Sequence, residues 1–333
     1  MKTGNYTPDT RGNINYPFHP ETQNPDPFTL GPSTWTDDDT ATCPLTGQEA
    51  EALRDKSDVF DLLSDRCTYN NQLKSIKRGK TPGPDCVPNE LLKILPEGWH
   101  DTIHSLFQIM WITGTTPEAW KVSVTSLLYK KGDPYLVANY RPIGLANALY
   151  KLWTSNVAYV TLHHALRHKI IHRCQEGGIL GRDTRRQLQN HINIISDAFH
   201  TNQDLFVLYV DFKNAFSMVS MDKLLCIMYD LGIPTDIIEV VKDLYNNNRT
   251  TISLPHGHTD PITMTRGTVQ GDPLSPLLYI LYAEPLLRWL HVGGRGYKYG
   301  CLQGRVDPST SLPLDQIHAH AASGFIDDTS ASI

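Results

Sequence analysis

Apolar stretches broken by Pro- and Gly-containing turns predict that strands and helices alternate along the chain. The stretches "VSVTSLLYKKGDP" and "DLFVLYVDF" each predict a strand, and the second is apolar at consecutive positions, as in strands covered on both faces. The stretch "TTISLPHGHTDPITMT" predicts two more strands joined by a glycine-containing loop. Asp211 ends the second of these strands, and loops at strand ends often carry functional residues.

Helical periodicity fills the segments between these strands. Apolar positions in residues 48–64 predict an amphipathic helix, and "MDKLLCIMYDLGIP" predicts another that stops at Gly232. Thr235 is the predicted N-cap of the next helix, and Ser275 with Pro276 begins a further one. Strands and helices in this order predict an α+β or α/β fold.

The first 46 residues differ from the rest in composition. They are rich in Pro, Thr, Asn and Asp and hold too few apolar groups to offset the entropy lost on ordering. We predict a disordered tail over residues 1–46, followed by an N-terminal helical segment over residues 47–73.

Composition and charge limit the classes of function. The chain has 333 residues, 40% of them hydrophobic, and a net charge of −5, which suits a globular protein and argues against bulk attraction to nucleic acid or membranes. Residues 74–190, however, carry 16 basic and 8 acidic groups between acidic flanks. The six cysteines include no Cys-x-x-Cys pair, and the start has no signal-peptide core. We therefore expect a soluble intracellular protein, nuclear or cytoplasmic, with no membrane partner.

Three carboxylates are candidates for a metal site. Asp327 and Asp328 follow a second apolar approach, "ASGFI", about 116 residues after Asp211. If the two strands are neighbours, the three side chains meet at one sheet edge, where like charges repel one another unless cations are bound. Oxygen ligands of this kind suit Mg²⁺, and two such ions support phosphoryl or nucleotidyl transfer.

Between the two carboxylate strands lies "RGTVQGDPLSP". The stretch is equally compatible with a glycine-rich turn into a capped helix and with a ligand-binding loop. In such a loop Gly267 and Gly271 would allow close approach to a flat or anionic ligand, while Gln270 donates and accepts hydrogen bonds. Asp272 has the sequence context of a cap or turn.

Several other residues have an ordinary structural interpretation. The stretch "HHALRHKIIH" places His164, His168 and His172 at helical spacing, which is compatible with a metal-binding face. It contains no acidic or cysteine partner, so we expect the solvated face of a basic helix. Taken alone, Lys130 and Arg141 are typical of exposed turns.

Ordered blocks of sequence resemble one known family. "VDFKNAF", "RGTVQGDPLSPLLYIL" and "FIDDT" resemble motifs A, B and C of the reverse transcriptases of non-LTR (LINE-like) retrotransposons. Upstream, "GKTPGPDCVPNELLK", "LLYKKGDP" and "NYRPIGL" resemble the finger-region blocks of that family, and "QEGGILGRDTRRQ" resembles its block before motif A. The resemblance runs from about residue 74 to the last residue.

The resemblance implies an α+β right-hand polymerase fold, with fingers over residues 74–200 and palm over residues 201–333. It implies an RNA-directed DNA polymerase that uses dNTPs, a DNA primer and an RNA template.

By the same resemblance, Asp211 and Asp327 bind two catalytic Mg²⁺ ions, for which Mn²⁺ can substitute. Asp328 supports these ions, and the carbonyl of Phe212 is a further metal ligand.

Nucleotide binding is implied for five more residues. Lys130 and Arg141 would hold the triphosphate. Phe216 alone would be typical of a core, but in this family the position excludes a ribose 2′-OH and so favours dNTPs. Gln270 and Gly271 would line the nascent base pair, and the basic middle of the chain would track template phosphates.

The family's palm continues beyond the double Asp into a primer grip and a thumb, whereas five residues follow Asp328 here. The sequence therefore predicts a truncated domain with the thumb missing, in which primer alignment is lost. The alternative is a catalytically inactive retroelement remnant with at most weak nucleic-acid binding. A host-adopted relative is a less favoured third interpretation.

Overall fold

The computed structural model describes residues 47–55, 58–179, 181–291, 296–299, 318–326 and 328–332. These residues form a mixed structure of helices and sheets, as the sequence predicts. The predicted tail over residues 1–46 lies outside the described residues, and so does Asp327.

Eleven α-helices and ten strands lie in the described part of the chain. The helices are α1 (Gly47–Asp55), α2 (Val59–Ser64), α3 (Arg66–Ser75), α4 (Asn89–Ile94), α5 (Glu97–Thr113), α6 (Ala148–Arg167), α7 (Thr184–Thr201), α8 (Ala215–Met218), α9 (Met221–Asp230), α10 (Thr235–Tyr245) and α11 (Ser275–His291). The strands are β1 (Val122–Tyr129), β2 (Tyr140–Leu145), β3 (Val207–Val210), β4 (Arg249–Leu254), β5 (Gly257–His258), β6 (Ile262–Thr263), β7 (Tyr297–Tyr299), β8 (His318–His320), β9 (Ala322–Phe325) and β10 (Asp328–Ser332).

The chain divides into two compact units. The first unit holds the described residues of 47–168 and 214–282, and the second unit holds those of 169–213 and 283–333. Helix α11 therefore contributes its first residues to the first unit and its last residues to the second.

A five-stranded sheet lies in the first unit. Its order is β2-β1-β4-β5, with β6 paired to β4. Strand β1 runs antiparallel to β2 and parallel to β4. The strand predicted in "VSVTSLLYKKGDP" is confirmed as β1, whereas the two strands predicted in "TTISLPHGHTDPITMT" are three, since β5 and β6 form separate short pairs with β4.

Helix α6 lies at the core of the first unit. Leu152, Trp153 and Val157 in this helix are fully buried. The ring of Trp153 packs against Phe107 of α5, with 5.1 Å between the ring centroids, and lies edge-on to Trp111. Large aromatic side chains bury more apolar area than other residues, so this cluster stabilises the helical side of the unit.

Two of the predicted helices begin or end differently in the structure. The single helix predicted over residues 48–64 is two helices, α1 and α2. Helix α10 begins at Thr235 itself, with Pro234 in the capping position, so the predicted Thr235 cap is one residue late.

The prediction of a solvated histidine face is wrong. Helix α6 ends at Arg167, and His164 within it is buried, with Nε2 3.3 Å from the carbonyl oxygen of Gly232. Burial, reinforced by His168, lowers the pKa of His164 to about 4, because desolvation disfavours the charged ring. His172 lies beyond the helix in the second unit and is fully buried.

The second unit contains an antiparallel sheet of order β3-β10-β9 and the antiparallel pair β7-β8. Strand β3 is at the sheet edge, where Leu208 and Tyr209 are 63% and 71% exposed. The prediction that "DLFVLYVDF" forms a strand is confirmed, but the prediction that both faces are covered is wrong. Successive side chains of a strand point to opposite faces, so the exposure of these two neighbours shows that neither face is covered there.

Candidate functional site

Two of the three predicted carboxylates lie at one end of the second unit's sheet. Strand β3 pairs with β10 so that Val210 is opposite Thr329. Continuing this antiparallel register by one residue places Asp211 opposite Asp328. Both residues are exposed. Asp327 lies outside the described residues, and Phe212, which follows Asp211, is half-buried.

The donor atoms at this sheet end fit a hard divalent cation. Carboxylate oxygens that are open to solvent leave room for water and phosphate oxygens, which Mg²⁺ retains or prefers as additional ligands. Asp211 and Asp328 could therefore hold such an ion.

A buried glutamine supports the turn that leads to Asp328. Gln175 is fully buried, and its Oε1 accepts hydrogen bonds from the backbone N–H groups of Ile326 (2.9 Å) and Gly177 (3.0 Å). Gly324 of β9 also exchanges backbone hydrogen bonds with Cys174 and Glu176. In the sequence Gln175 lies in the block before motif A, and no local pattern there indicates its supporting role.

The residue at this turn adopts an unfavourable backbone conformation. Ile326 has φ +59°, in the left-handed region, which costs roughly 1–2 kcal/mol for a residue with a Cβ. A Cβ added at Gly177 would lie 2.5 Å from the Ile326 nitrogen, so glycine is required where the two backbones approach. The hydrogen bond from Ile326 to Gln175 stabilises this conformation.

Two of the predicted nucleotide-binding residues lie on the β1–β2 hairpin of the first unit. Arg141 pairs with Leu128, and the backbone N–H of Lys130 donates to the Asn139 carbonyl (2.8 Å). Because side chains alternate between faces along a strand, Lys130 and Arg141 belong to the same face of the hairpin. Both side chains are exposed. The hairpin therefore presents two cations on one face.

The glycine-rich loop over residues 267–271, called the motif B loop below, packs against two other segments of the first unit. The Thr268 N–H donates to the Phe216 carbonyl (2.8 Å), and the Gly144 N–H donates to the Gln270 carbonyl (2.7 Å). The ring of Phe216 lies 5.3 Å from that of Tyr279. The structure thus brings Phe216, Gln270 and Gly271 into one neighbourhood.

Both glycines that the sequence analysis singled out in this loop have positive φ. Gly267 has φ +87° and Gly271 has φ +103°. A Cβ at Gly267 would lie 2.8 Å from the Ser217 carbonyl oxygen and 2.9 Å from its Cα. At Gly267 both the φ angle and the close approach to the Ser217 backbone require glycine, and this requirement is structural, because it involves no ligand.

Asp272 is a buried acid that the sequence analysis treated only as a turn residue. It lies in the turn before α11, is 3% exposed, and accepts hydrogen bonds from the hydroxyls of Thr154 and Tyr150 and from the Leu274 N–H. Burial raises its pKa to about 6, against the lowering effect of these hydrogen bonds. The only sequence signal was its place beside a capped helix, which does not report burial.

No helix in the described part of the chain is both long and apolar enough to cross a lipid bilayer.

Comparison with known proteins agrees with these motifs. A family described as reverse transcriptase (RNA-dependent DNA polymerase) matches residues 129–329, more than half of the chain. The RNA-directed DNA polymerase from mobile element jockey of Drosophila melanogaster is 25% identical over 217 residues, which cover 65% of this chain and 24% of the relative.

Two further relatives come from other animals. The Pol polyprotein from the type-1 retrotransposable element R2 of Popillia japonica is 28% identical over 186 residues, covering 54% of this chain and 25% of the relative. A 149 kDa protein of transposon TX1 from Xenopus laevis is 27% identical over 219 residues, covering 65% of this chain and 16% of the relative. The chain spans about a quarter or less of these relatives' length. With the family match over motifs A, B and C, these similarities confirm the resemblance, and the chain belongs to the reverse transcriptase family.

Proposed function

We propose that this chain acts in RNA-directed DNA synthesis for a non-LTR retrotransposon, adding dNTPs to a primer 3′-OH on an RNA template. The observation that carries the proposal is the register that puts Asp211 opposite Asp328 in a chain of the reverse transcriptase family. Reverse transcriptases as a family depend on divalent metal ions, and an exposed pair of carboxylates is suited to that need.

The proposed metal ligands are Asp211, Asp327, Asp328 and the carbonyl of Phe212. When bound, two Mg²⁺ ions activate the attacking primer oxygen and stabilise the leaving oxygen of the nucleotide, and Mn²⁺ can take their place. The protein's own contribution is to hold hard oxygen donors at the end of paired strands. The ladder of backbone hydrogen bonds between β3 and β10 supports this role.

The proposed nucleotide-binding residues are Lys130, Arg141, Phe216, Gln270 and Gly271. The two cations on one face of the β1–β2 hairpin are suited to triphosphate oxygens, and the guanidinium of Arg141 can bind two of them at once. The half-buried ring of Phe216 is held beside the motif B loop, as expected of a residue that excludes a 2′-OH by contact.

Template and primer binding is proposed for the basic region of residues 74–190. Its excess of eight positive charges favours phosphate contacts whose strength falls as salt concentration rises. We further propose the division into fingers over residues 74–200 and palm over residues 201–333, with the helical segment 47–73 preceding them.

Primer extension on poly(rA)/oligo(dT) with Mg²⁺ tests this proposal. We expect incorporation of dTTP by the wild-type chain and a loss of at least about 1,000-fold in Asp211→Asn, because a metal-binding carboxylate is removed. Asp204→Asn, which changes another exposed carboxylate near β3, is the matched control and should retain activity.

Equal activity in Asp211→Asn and the control would refute the assigned role of Asp211. Salt-sensitive binding of template-primer without incorporation by any variant would favour the alternative, an inactive remnant that binds nucleic acid.

A further inference from the structure

Three side chains with metal-binding chemistry meet in the second unit, apart from the proposed polymerase residues. They are His172, Cys174 and His291, whose ligand atoms lie within 4.8 Å of one another. His172 and Cys174 lie in a turn closed by a hydrogen bond from the Gln175 N–H to the His172 carbonyl (3.0 Å), and His291 is the last residue of α11. We call these three residues the His-Cys-His cluster. His172 and Cys174 are two residues apart, whereas His291 follows Cys174 by 117 residues, so the fold brings the third side chain to the other two.

His291 already has the orientation of a metal ligand. Its Nδ1 donates a hydrogen bond to the carbonyl of Leu287 (2.8 Å), so the lone pair of the neutral ring is on Nε2. That Nε2 lies 3.3 Å from Sγ of Cys174. Histidines that bind metals characteristically donate their other ring N–H to a carbonyl or carboxylate, which sets the tautomer.

His172 is the third member of the cluster. Its ring centroid is 4.2 Å from that of His291, and its backbone N–H is held by Oε1 of the buried Glu284 (2.8 Å). The Nδ1 of His172 accepts a hydrogen bond from the Cys174 N–H at 3.2 Å, the long end of the usual range. Coordination through Nδ1 would replace this bond with a stronger one to the metal.

The dimensions of the cluster are close to those of a tetrahedral zinc site. Zinc bonds of about 2.3 Å to sulfur and about 2.05 Å to nitrogen place neighbouring S and N ligands about 3.5 Å apart. The Cys174–His291 pair, at 3.3 Å, is already close to this separation, and the widest pair must close by about 1.5 Å at most. Cys174 and His291 are partly exposed, which leaves a fourth position open to water.

We propose that His172, Cys174 and His291 form a Zn²⁺ site. One thiolate and two imidazoles are borderline-soft ligands, which select zinc over the Mg²⁺ or Mn²⁺ that carboxylates bind. The Cys174 thiol releases its proton when the ion binds. This site is separate from the proposed polymerase function and does not depend on it.

A metal at this position would stabilise β9, the strand that leads to Asp327 and Asp328. The carbonyl of Cys174 accepts from the Gly324 N–H (2.9 Å), and the Glu176 N–H donates to the Gly324 carbonyl (2.8 Å). Cys174, a proposed zinc ligand, is thus hydrogen-bonded through its backbone to β9. A zinc ion bound to Cys174 and His291 would therefore link this strand to the end of α11. We therefore infer that zinc stabilises β9 and the turn after it.

Zinc binding to the full chain tests the site directly. Metal-free protein is titrated with Zn²⁺ against a chromophoric chelator, alongside Cys174→Ser, His291→Asn and the control Cys226→Ser, which changes a half-buried cysteine in the first unit. We expect one tight zinc in the wild type and in the control. The two ligand variants should bind at least about 100-fold more weakly, since loss of even an outer partner costs 10–100-fold.

Two measurements keep the proposal falsifiable if a ligand variant does not fold. X-ray absorption of the zinc-loaded wild type should show one sulfur and two imidazole nitrogens, and Co²⁺ substitution should give a thiolate charge-transfer band. Hydrogen exchange of residues 322–326 should slow when zinc is added. A zinc shell without sulfur, or Cys174→Ser binding zinc as tightly as Cys226→Ser, would overturn the proposal.

Discussion

The motif B loop of the first unit and the carboxylate end of the second unit's sheet are built by different means. The loop is held by buried contacts: Gly267 lies against Ser217, and Asp272, next to the loop, is buried among hydroxyl donors. The carboxylates Asp211 and Asp328 are exposed at the end of a strand ladder. Changes in the loop should therefore alter protein stability, whereas changes in the carboxylates should alter chemistry and leave the fold intact.

The largest stability effect is expected at Gly267. Gly267→Ala places a Cβ on a residue with φ +87°, and this Cβ overlaps the Ser217 backbone. The two costs together should lower the free energy of unfolding by about 4 kcal/mol. Gly79→Ala is the matched control, because φ is +66° there but the added Cβ meets no atom of the described structure within 4 Å. The control should lose about 1.5 kcal/mol in urea denaturation. Equal losses in the two variants would contradict the tight packing of the loop.

A pH-dependent contribution of about 3 kcal/mol to the free energy of unfolding is expected from Asp272. Its pKa rises from 3.8 to about 6 on folding, so the folded state binds the proton more tightly. The resulting stabilisation is complete below about pH 4 and is lost as pH rises through about 6, at 1.36 kcal/mol per unit of pKa difference. Asp272→Asn keeps the shape and an acceptor oxygen but cannot titrate.

The measurement is the free energy of unfolding of both proteins from about pH 4 to about pH 7. Wild type minus variant should fall across this interval. Two parallel curves would mean that Asp272 does not titrate in this range and that its burial does not hold in solution.

A smaller loss in the free energy of unfolding, about 2 kcal/mol, is expected when Gln175 in the second unit is replaced. Gln175→Met removes the acceptor for the N–H groups of Gly177 and Ile326 while keeping the side-chain length. Hydrogen exchange of residues 322–332 should become faster. Gln189→Met, at an exposed site on α7, is the control and should change neither the free energy of unfolding nor the exchange of these residues. Unchanged exchange in Gln175→Met would remove the role assigned to this side chain in supporting the turn.

Local pattern and motif order are sufficient to predict part of the fold and the family. Strand β1, helix α9 and the family follow from periodicity and from the ordered blocks around Asp211 and Asp328. The burial of Asp272 was not predictable, because it depends on hydroxyls of α6 that lie more than a hundred residues away.

The same limit applies to the histidines. "HHALRHKIIH" has helical spacing, but the helix ends at Arg167, so His164 and His172 belong to different units. The partner that gives His172 a metal-binding context, His291, is contributed by α11. Cys174, two residues after His172, was the one sequence signal for a metal site. A single nearby cysteine is weak evidence for such a site unless the tertiary contact with His291 is known.

We propose that the exposed sheet end, with Asp211 opposite Asp328, binds the divalent ions. Mn²⁺ binding measured by electron paramagnetic resonance tests it without requiring catalysis. We predict that Asp211→Asn and Asp328→Asn each weaken Mn²⁺ binding at least about tenfold, while Asp204→Asn binds as the wild type does. Unchanged Mn²⁺ affinity in both Asp211→Asn and Asp328→Asn would contradict the claim.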